Sequence, residues 1–573
     1  MKKNSIGKLF GLTILMFTLL FTGAFAEVYE GTGLGYDKDG IILDVEIKDS
    51  KITDVKVKRA KESEFATPAI QEIAKKVIAT QSLDVDGISG ATITSEGTKE
   101  AIEEAVKKSG VTLKAVTAQN TKAVELPKET DVVVIGAGGA GLTSAIAAHE
   151  KGVKVILIEK TELLGGNTNY ATGGINAAGT RIQKAAGIED SPELFYEDTM
   201  KGGKNKNNKE LVKVLTKNSA GIVDWLVERG VDISEVTYSG GQSVKRIHRP
   251  TGGVAVGPVV VSGLSKTAEN EKIDIRKGTK AIALVKAKNR IVGVKVREID
   301  GKEYTIKAKA VIVATGGFGA NAKMVEKYNP KLKGFGSTNN PAIVGDGIIM
   351  VEKVGGVLVD MKEIQTHPTV VHNKTNMITE AVRGEGAILV NRDGKRFIDE
   401  LETRDVVSKA ILSQKGKSAF LIFDEDIRTK LKAADGYVKK GFAVEGTLEE
   451  IAAKIGTDAK TLEATLNKYN EAVKNKVDSE FNKKTLPKEL TGTKYYAIEV
   501  SPAVHHTMGG VRINTNAEVL GKNGRPIKGL YAAGEVTGGI HGANRIGGNA
   551  VADITIFGKI AGENAAIYSK SIK

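Results

Sequence analysis

Apolar positions change texture along this chain. Ile41–Lys48 alternates apolar and polar residues, Asp49-Ser50 makes a turn, and Ile52–Val57 alternates again, so the spacing predicts two paired strands. Gly31, Gly33, Gly35 and Gly40 punctuate the approach to them. Thr67–Thr80 follows helical spacing, with Pro68 tolerated in the first turn. A second helix is expected over about Glu96–Lys108, with Ile102, Ala105 and Val106 as its apolar face and Thr94 or Ser95 as its cap. Past residue 130 the pattern shifts to short apolar runs that lead into glycine or, after Val153–Ile158, into Glu159. These are Val132–Ile135, Val153–Ile158, KAVIVATGGFG ending at Gly319, and GLYAAGEVTGG over Gly529–Gly539. Lys280–Ile306 reads as successive strands, and KGGKNKNNKE over Lys201–Glu210 as a solvated loop.

The stretch Asp131–Lys160 carries the first chemistry. Its first strand runs into Gly136, Gly138 and Gly141 in G-x-G-x-x-G spacing, then a helix from Leu142 to about Glu150, then a strand ending on Glu159. The first glycine permits the tight turn, the second lets the backbone approach a pyrophosphate, and the third lets helix and strand pack closely. The helix N-terminus offers free N–H groups to phosphate, and the acid accepts from a ribose hydroxyl. The bare alternative, a structural glycine turn, leaves the ordered strand–turn–helix–strand–acid series unexplained. Thr315-Gly316 and the late strand ending at Glu535 resemble the Thr-Gly strand and late Gly-Glu strand with which large two-dinucleotide-fold flavoproteins hold FAD, and that resemblance implies FAD rather than NAD.

Composition narrows the picture. The chain has 573 residues, net charge +14, 41% hydrophobic and 5% aromatic residues, and no cysteine. Disulfides, cysteine-ligated iron–sulfur clusters and C-x-x-C-H haem attachment are excluded, so organic cofactors must carry any electrons. Setting aside Lys2, Lys3 and Lys8, the remaining basic excess is mild. It suits flavin phosphates and an anionic substrate. Scattered lysines and few aromatics give no nucleic-acid surface. Residues 1–26 read as a secretory signal: a basic start, the apolar run Leu9–Phe21, and Ala24-Phe25-Ala26 for cleavage, with an uncleaved anchor as the alternative. The expected location is extracytoplasmic, in the periplasm or at the cell surface.

The segment Asp86-Gly87-Ile88-Ser89-Gly90-Ala91-Thr92 resembles the flavinylation motif of FMN-binding domains in extracytoplasmic electron-transfer proteins. That resemblance implies FMN carried covalently on Thr92 through a phosphoester bond placed by a flavin transferase. The residue-level alternative is an ordinary capped turn.

From Asp131 onward the chain resembles the soluble fumarate reductase family known from flavocytochrome c. The resemblance rests on GGNTNYATGGINAAGT, Gln365-Thr366-His367-Pro368, Thr379–Gly384, Thr403-Arg404-Asp405, His505–Gly510 and HGANRIGGNA from His541. It implies reduction of an activated C=C bond. Arg404 would donate the proton, with Glu380 and Arg383 as the relay that replenishes it. Arg545 with His505 would hold one carboxylate, His367 with Thr379 the other, and Gln365 would join the substrate site. The implied FAD contacts are Gly136, Gly138, Ala140, Gly141, Glu159, Lys160, Asn167, Thr168, Gly173, Gly174, Thr315, Gly316, Asp346, His506, Glu535, Ala550 and Val551. Quinol-linked relatives attach FAD to a histidine where this chain has Asn167-Thr168, so FAD should be non-covalent. No metal is implied. Haem motifs are absent at the N-terminus and the FMN-type domain stands in their place, an arrangement shared with urocanate reductases. Those carry a tyrosine at the position of His367, which favours a dicarboxylate here.

The expected architecture is α/β: a two-dinucleotide-fold FAD domain, an inserted α+β capping domain and a small N-terminal α+β FMN-binding domain. The boundaries are 1–26 for the signal, 27–110 for the FMN-binding domain and 111–127 for a linker. The FAD-binding domain takes 128–360 and resumes over 508–573, with the cap inserted at 361–507. The implied function is fumarate reduction in anaerobic respiration, with electrons passing from a membrane or extracytoplasmic donor to FMN, then FAD, then fumarate. Urocanate, acrylate or methacrylate reduction and a non-catalytic flavin electron carrier are the alternatives.

Overall fold

The computed structural model describes residues 26–35, 40–62, 66–88, 91–115, 127–238 and 240–572, with Thr92 described in its backbone alone. All but the last residue of the expected export signal, most of the expected 111–127 linker and the side chain expected to carry FMN lie outside these residues. The chain forms two compact units. One holds residues up to 121 apart from the short stretches 63–69 and 88–92, and the other holds those stretches and everything from 122 onward. No helix among the described residues is long and apolar enough to cross a membrane.

In the smaller unit, Glu27–Gly33, Ile41–Lys48 and Lys51–Ala60 form an antiparallel meander in that order. Alternation is strict in the central strand, whose Ile41, Leu43 and Val45 are fully buried. Gly31 and Gly33 let the edge strand lie directly on a helix backbone. A Cβ on either would sit 1.8 Å from the carbonyl oxygen of Ala101 or Gly97. Glu104 and Glu100 of that helix accept the Thr32 and Leu34 N–H groups at 2.6 and 2.8 Å, satisfying the strand edge from the side.

That helix spans Thr92–Ser109, four residues longer at its start than the apolar spacing suggests. A turn closed by Ala91 N–H to the Ile88 carbonyl (3.0 Å) begins it at Thr92. Thr94 and Ser95 are therefore buried inside the first turns and do not cap it. Thr94 Oγ1 donates to the Glu62 carboxylate.

The large unit is built on a mixed eight-stranded sheet. Its order is Thr279–Ala287, Arg290–Glu298, Pro526–Ala532, Glu303–Val313, Glu129–Ile135, Val155–Ile158, Asp274–Arg276, with Glu518–Leu520 beside Pro526–Ala532. The central pairings, Ile312 to Val134 and Val134 to Leu157, are parallel. Val132, Val133 and Val134 are all fully buried, which is why this run shows no alternation. Burial of each such side chain is worth about 1.5–3 kcal/mol. Helices Gly139–Glu150 and Asn549–Ser571 pack against each other through small residues, with Ser144 Oγ donating to the Gly558 carbonyl at 2.9 Å. The first of these helices starts at Gly139, three residues before the apolar pattern does. Gly141 lies within it because a Cβ there would fall 1.7 Å from the Gly136 carbonyl oxygen.

A separate antiparallel sheet joins Ile364–Val371, Tyr495–Thr507, Ala419–Asp424 and Ile388–Val390, with Val444–Gly446 also on Tyr495–Thr507. It has its own core around Ile388, Leu421, Ile422 and Ile498. Helices Glu380–Gly384 and Arg404–Leu412 start at the edge of this layer. The KGGKNKNNKE stretch is more than a solvated loop. Lys204 pairs with Asp405, Lys206 with Glu363 at 3.0 Å, and the buried Asn207 donates to the Ile540 carbonyl at 2.9 Å.

Candidate active site

The glycine fingerprint opens one end of a long cleft. Gly136 sits at φ +99°, where a Cβ would meet the Ala314 carbonyl oxygen at 2.6 Å. Gly138 and Ala140 line a space of about 850 Å³ with Glu159, Lys160, Thr315 and Asp346. Lys160 Nζ pairs with the Asp346 carboxylate at 2.5 Å. Glu159 accepts the Ala137 and Thr161 N–H groups at 2.8 and 2.9 Å, which aims its carboxylate along the cleft wall. Gly316, at φ +71°, and Asn167 and Thr168 continue the lining. Thr315 Oγ1 is buried here without a hydrogen-bond partner. An elongated cleft with a helix N-terminus, a terminal acid and an orphaned hydroxyl fits a dinucleotide such as FAD.

A second cavity, about 2300 Å³, shares Asn167, Thr168, Glu535 and Ile554 with that cleft. Gly173, Gly174, His506, Ala550 and Val551 line its near side. Asn167 donates to Glu535 at 3.1 Å and accepts the Asn340 N–H at 2.8 Å, while Thr507 N–H donates to Glu535 at 3.0 Å. Burial raises the Glu535 carboxyl above its ordinary range, against those bonds and the Arg545 charge.

On the far side of the same cavity stand His367, Thr379, Glu380, Arg404, His505 and Arg545. They come from separate stretches of the chain. Arg404 Nε donates to Glu380 at 3.2 Å and its Nη1 to Gln365 at 3.3 Å. Arg383 lies behind, its Nη2 4.0 Å from Glu380 and its Nη1 donating to the Glu400 carbonyl. Burial works against the Glu380 charge, yet Arg404 and Arg383 hold its carboxyl below the usual range. Burial lowers Arg383 and pulls Arg545 down to about 9, with Arg404 adding to the repulsion on Arg545. An anion placed among these cations would relieve that repulsion.

His367 and His505 meet edge to face, ring centroids 5.2 Å apart. His505 Nδ1 bonds Thr338 Oγ1 at 2.8 Å. Burial, with the nearby arginine charges, holds His367, His505 and His506 well below the ordinary histidine value of 6.5. They are neutral hydrogen-bonding groups at neutral pH. Histidines buried neutral stabilise the fold above the unfolded-state value, and that contribution is lost as pH falls below it. The free energy of unfolding should therefore drop by up to about 1.4 kcal/mol per histidine per pH unit as pH is lowered from about 6.5, and the unfolding temperature with it. Thermal unfolding of the FAD-loaded protein between pH 8 and 5 measures this, and a rising midpoint toward acid would refute it.

Gln365 is held by three protein partners. Its amide NH2 is taken by Asn544 Oδ1 (2.7 Å) and the Arg545 carbonyl (2.8 Å), and its oxygen by Arg404. It is buried, is not among the residues lining the cavity, and ties the Arg404 side chain to the backbone of Arg545. Gly141 likewise serves packing and does not line the cleft. Sequence reasoning misses Thr338, Asn340 and the N–H of Gly240, which bonds Glu380. Each lies in a glycine- or asparagine-rich loop whose composition alone carries no chemical signature.

A dinucleotide cleft opening onto a cationic cavity with an arginine–carboxylate–arginine chain defines a flavoprotein oxidoreductase. Residues 131–551 match the FAD binding domain family, and residues 35–107 the FMN-binding domain family. The fumarate reductase (cytochrome) of Shewanella frigidimarina is 52% identical over 78% of each chain. NADH:fumarate oxidoreductase of Klebsiella pneumoniae is 44% identical over 92% of this chain, which spans 57% of that protein's length. The open conformation of a flavocytochrome c3 fumarate reductase superposes with a TM-score of 0.69 at 43% identity, covering 79% of this chain and 80% of that one. The chain belongs to the flavocytochrome c-type fumarate reductase family of FAD-dependent oxidoreductases and carries an FMN-binding domain at its N-terminal end.

Proposed function

We propose that this chain is an exported two-flavin reductase that converts fumarate to succinate, with electrons entering through the FMN-binding domain from an extracytoplasmic donor. The observation that carries the reading is the convergence of Arg404, Arg545, His367, His505 and Thr379 on one cavity continuous with the FAD cleft. FAD, when bound and reduced, supplies a hydride to the C=C bond. Arg545 and His505 hold one carboxylate and polarise the double bond toward it, which stabilises the charge that develops there. His367 and Thr379 hold the other carboxylate, so both charges of a dianion are matched.

Arg404 then gives a proton to the adjacent carbon. A guanidinium is a poor acid, but the carbanion it meets is a much stronger base. Glu380, 3.2 Å from Arg404 Nε, returns the proton and Arg383 passes it inward. A non-catalytic flavin carrier has no use for a donor, a relay and two carboxylate clamps around one cavity. The test is turnover with reduced viologen on fumarate, urocanate, acrylate and methacrylate. Fumarate should be fastest, and no turnover on any of the four would end the reading.

The proposal extends to FMN on Thr92, supported by DGISGAT leading into the N-terminus of the Thr92–Ser109 helix. Protein made in a host with a flavin transferase should keep one fluorescent flavin after acid precipitation and release FAD. Thr92→Ala should lose the retained flavin entirely, and its retention in the variant would put the attachment elsewhere.

A further inference from the structure

Behind the cavity, four charged side chains lie buried where the proposed reaction does not use them. Glu400 is fully buried. Its two oxygens accept Arg396 Nε at 2.9 Å and Nη2 at 3.1 Å, and one also accepts Lys483 Nζ at 2.8 Å. Arg396 Nη2 donates further to Asp478 at 3.0 Å. The Leu389 N–H reaches Glu400 at 3.3 Å, tying the cluster to the antiparallel sheet.

Stability alone is a weak reason for such a cluster, because well-packed apolar residues of similar size often serve as well or better. Its connections suggest another use. Arg383 is almost wholly buried, and its Nε and Nη2 have no hydrogen-bond partner. Its Nη1 is anchored by the carbonyl of Glu400 itself. The same short segment that Glu400 pins runs on through Asp399–Thr403 along the cavity wall and presents Arg404 at the head of its helix.

We propose that Glu400 is a positioning residue for proton delivery: clamped by Arg396 and Lys483, it fixes the segment whose carbonyl fastens Arg383 and whose end carries Arg404. This rests on the proton relay of the proposed function. The clamp also shapes the field. Glu380, Glu400 and Asp399 favour the Arg383 cation, Arg404 opposes it, and His367 faces it as a neutral ring. Arg396 and Lys483 balance Glu400 and Asp478, so the cluster holds the relay without adding net charge. Neutralising Glu400 leaves an unbalanced positive charge beside Arg383.

The test uses the full FAD-loaded chain with fumarate and reduced viologen. Glu400→Gln should lower kcat about 10²-fold, the usual cost of a misplaced reacting group. KM should stay within about threefold, since no substrate contact is removed. The alkaline limb of the kcat profile should move to lower pH. Lys483→Met disturbs the same cluster but keeps the Glu400 carboxylate on Arg396. It should cost a similar drop in unfolding temperature with kcat changed less than about threefold. Where Glu400→Gln does not fold, the charge-balanced double variant with Lys483→Met should show the same loss of kcat without the shift of the alkaline limb. Parent-like kcat and pH profile in a folded Glu400 variant, or a Lys483→Met enzyme as slow as Glu400→Gln, would overturn the inference while parental turnover leaves the function standing. A parent inactive on fumarate would remove both.

Discussion

Arg404→Ala is expected to retain FAD and bind dicarboxylate but to lose about 10²–10⁴-fold in kcat, the span a positioned general acid commonly contributes. The geometry makes the substitution selective. Arg404 is held by Glu380 at 3.2 Å and Gln365 at 3.3 Å, on the wall of the cavity. Arg545, His505, His367 and Thr379 remain to hold both carboxylates. The lost interaction belongs to the transition state, so kcat should fall far more than KM rises. Removing this cation also leaves Glu380 with Arg383 as its nearest opposing charge, 4.0 Å away. Arg404→Lys should fall between parent and alanine. A lysine supplies a proton but cannot keep two fixed bonds from one planar group. Steady-state rates with reduced viologen, set beside FAD content and the flavin spectral change on adding succinate, separate these outcomes. A folded, FAD-replete Arg404→Ala enzyme with near-parental kcat would reject the assignment.

Local features are legible in the sequence and assembled ones are not. The run Val132–Ile135 into three spaced glycines has one reading because strand, turn and helix are contiguous. The strand pair after Gly40 is equally plain, since alternation records a sheet with one face buried. Helix starts are displaced at Thr92 and Gly139, where glycine and small polar residues mask the first turn. The site residues come from resemblance to a family, not from spacing. Nothing periodic links Arg404 to Gln365 39 positions earlier, or His505 to Thr338 167 positions earlier. Gln365 shows what such a transfer leaves out: the motif names the residue, and the fold supplies its partners Arg404, Asn544 and the Arg545 carbonyl. The buried clusters have no signal at all. Arg246 with Asp190 and Asp198, and Glu400 with Arg396 and Lys483, read in sequence as ordinary surface charges. A charged residue is buried only with its partner, and the partner is supplied by the fold.

His367→Tyr is expected to cut kcat/KM for fumarate by at least about 10²-fold, since a buried polar group left unmatched can cost up to about 10⁴–10⁵-fold. Fumarate presents two carboxylates. In the proposed binding mode Arg545 and His505 satisfy one, and the other depends on His367 and Thr379. His367 is almost fully buried, its Nδ1 has no protein partner, and its ring leans edge-on against His505 at 5.2 Å. It is thus a neutral ring held at fixed orientation, with a backbone hydrogen bond at Thr369. A tyrosine is longer and would press on His505, and its single hydroxyl cannot reproduce the same donor position. The second carboxylate would be left poorly compensated, and an unpaired buried charge is costly. Urocanate replaces that carboxylate by a flat imidazole, which a tyrosine can meet by stacking and one hydrogen bond. The variant should therefore show a smaller loss, or a modest gain, with urocanate, so the ratio of the two kcat/KM values moves toward urocanate. Full urocanate activity is not expected, because the ring also needs room that Thr379 and His505 still occupy. Measuring both substrates in parent and variant decides the matter. A parent that already prefers urocanate, or a variant that keeps its fumarate rate, would show that His367 does not select the dicarboxylate.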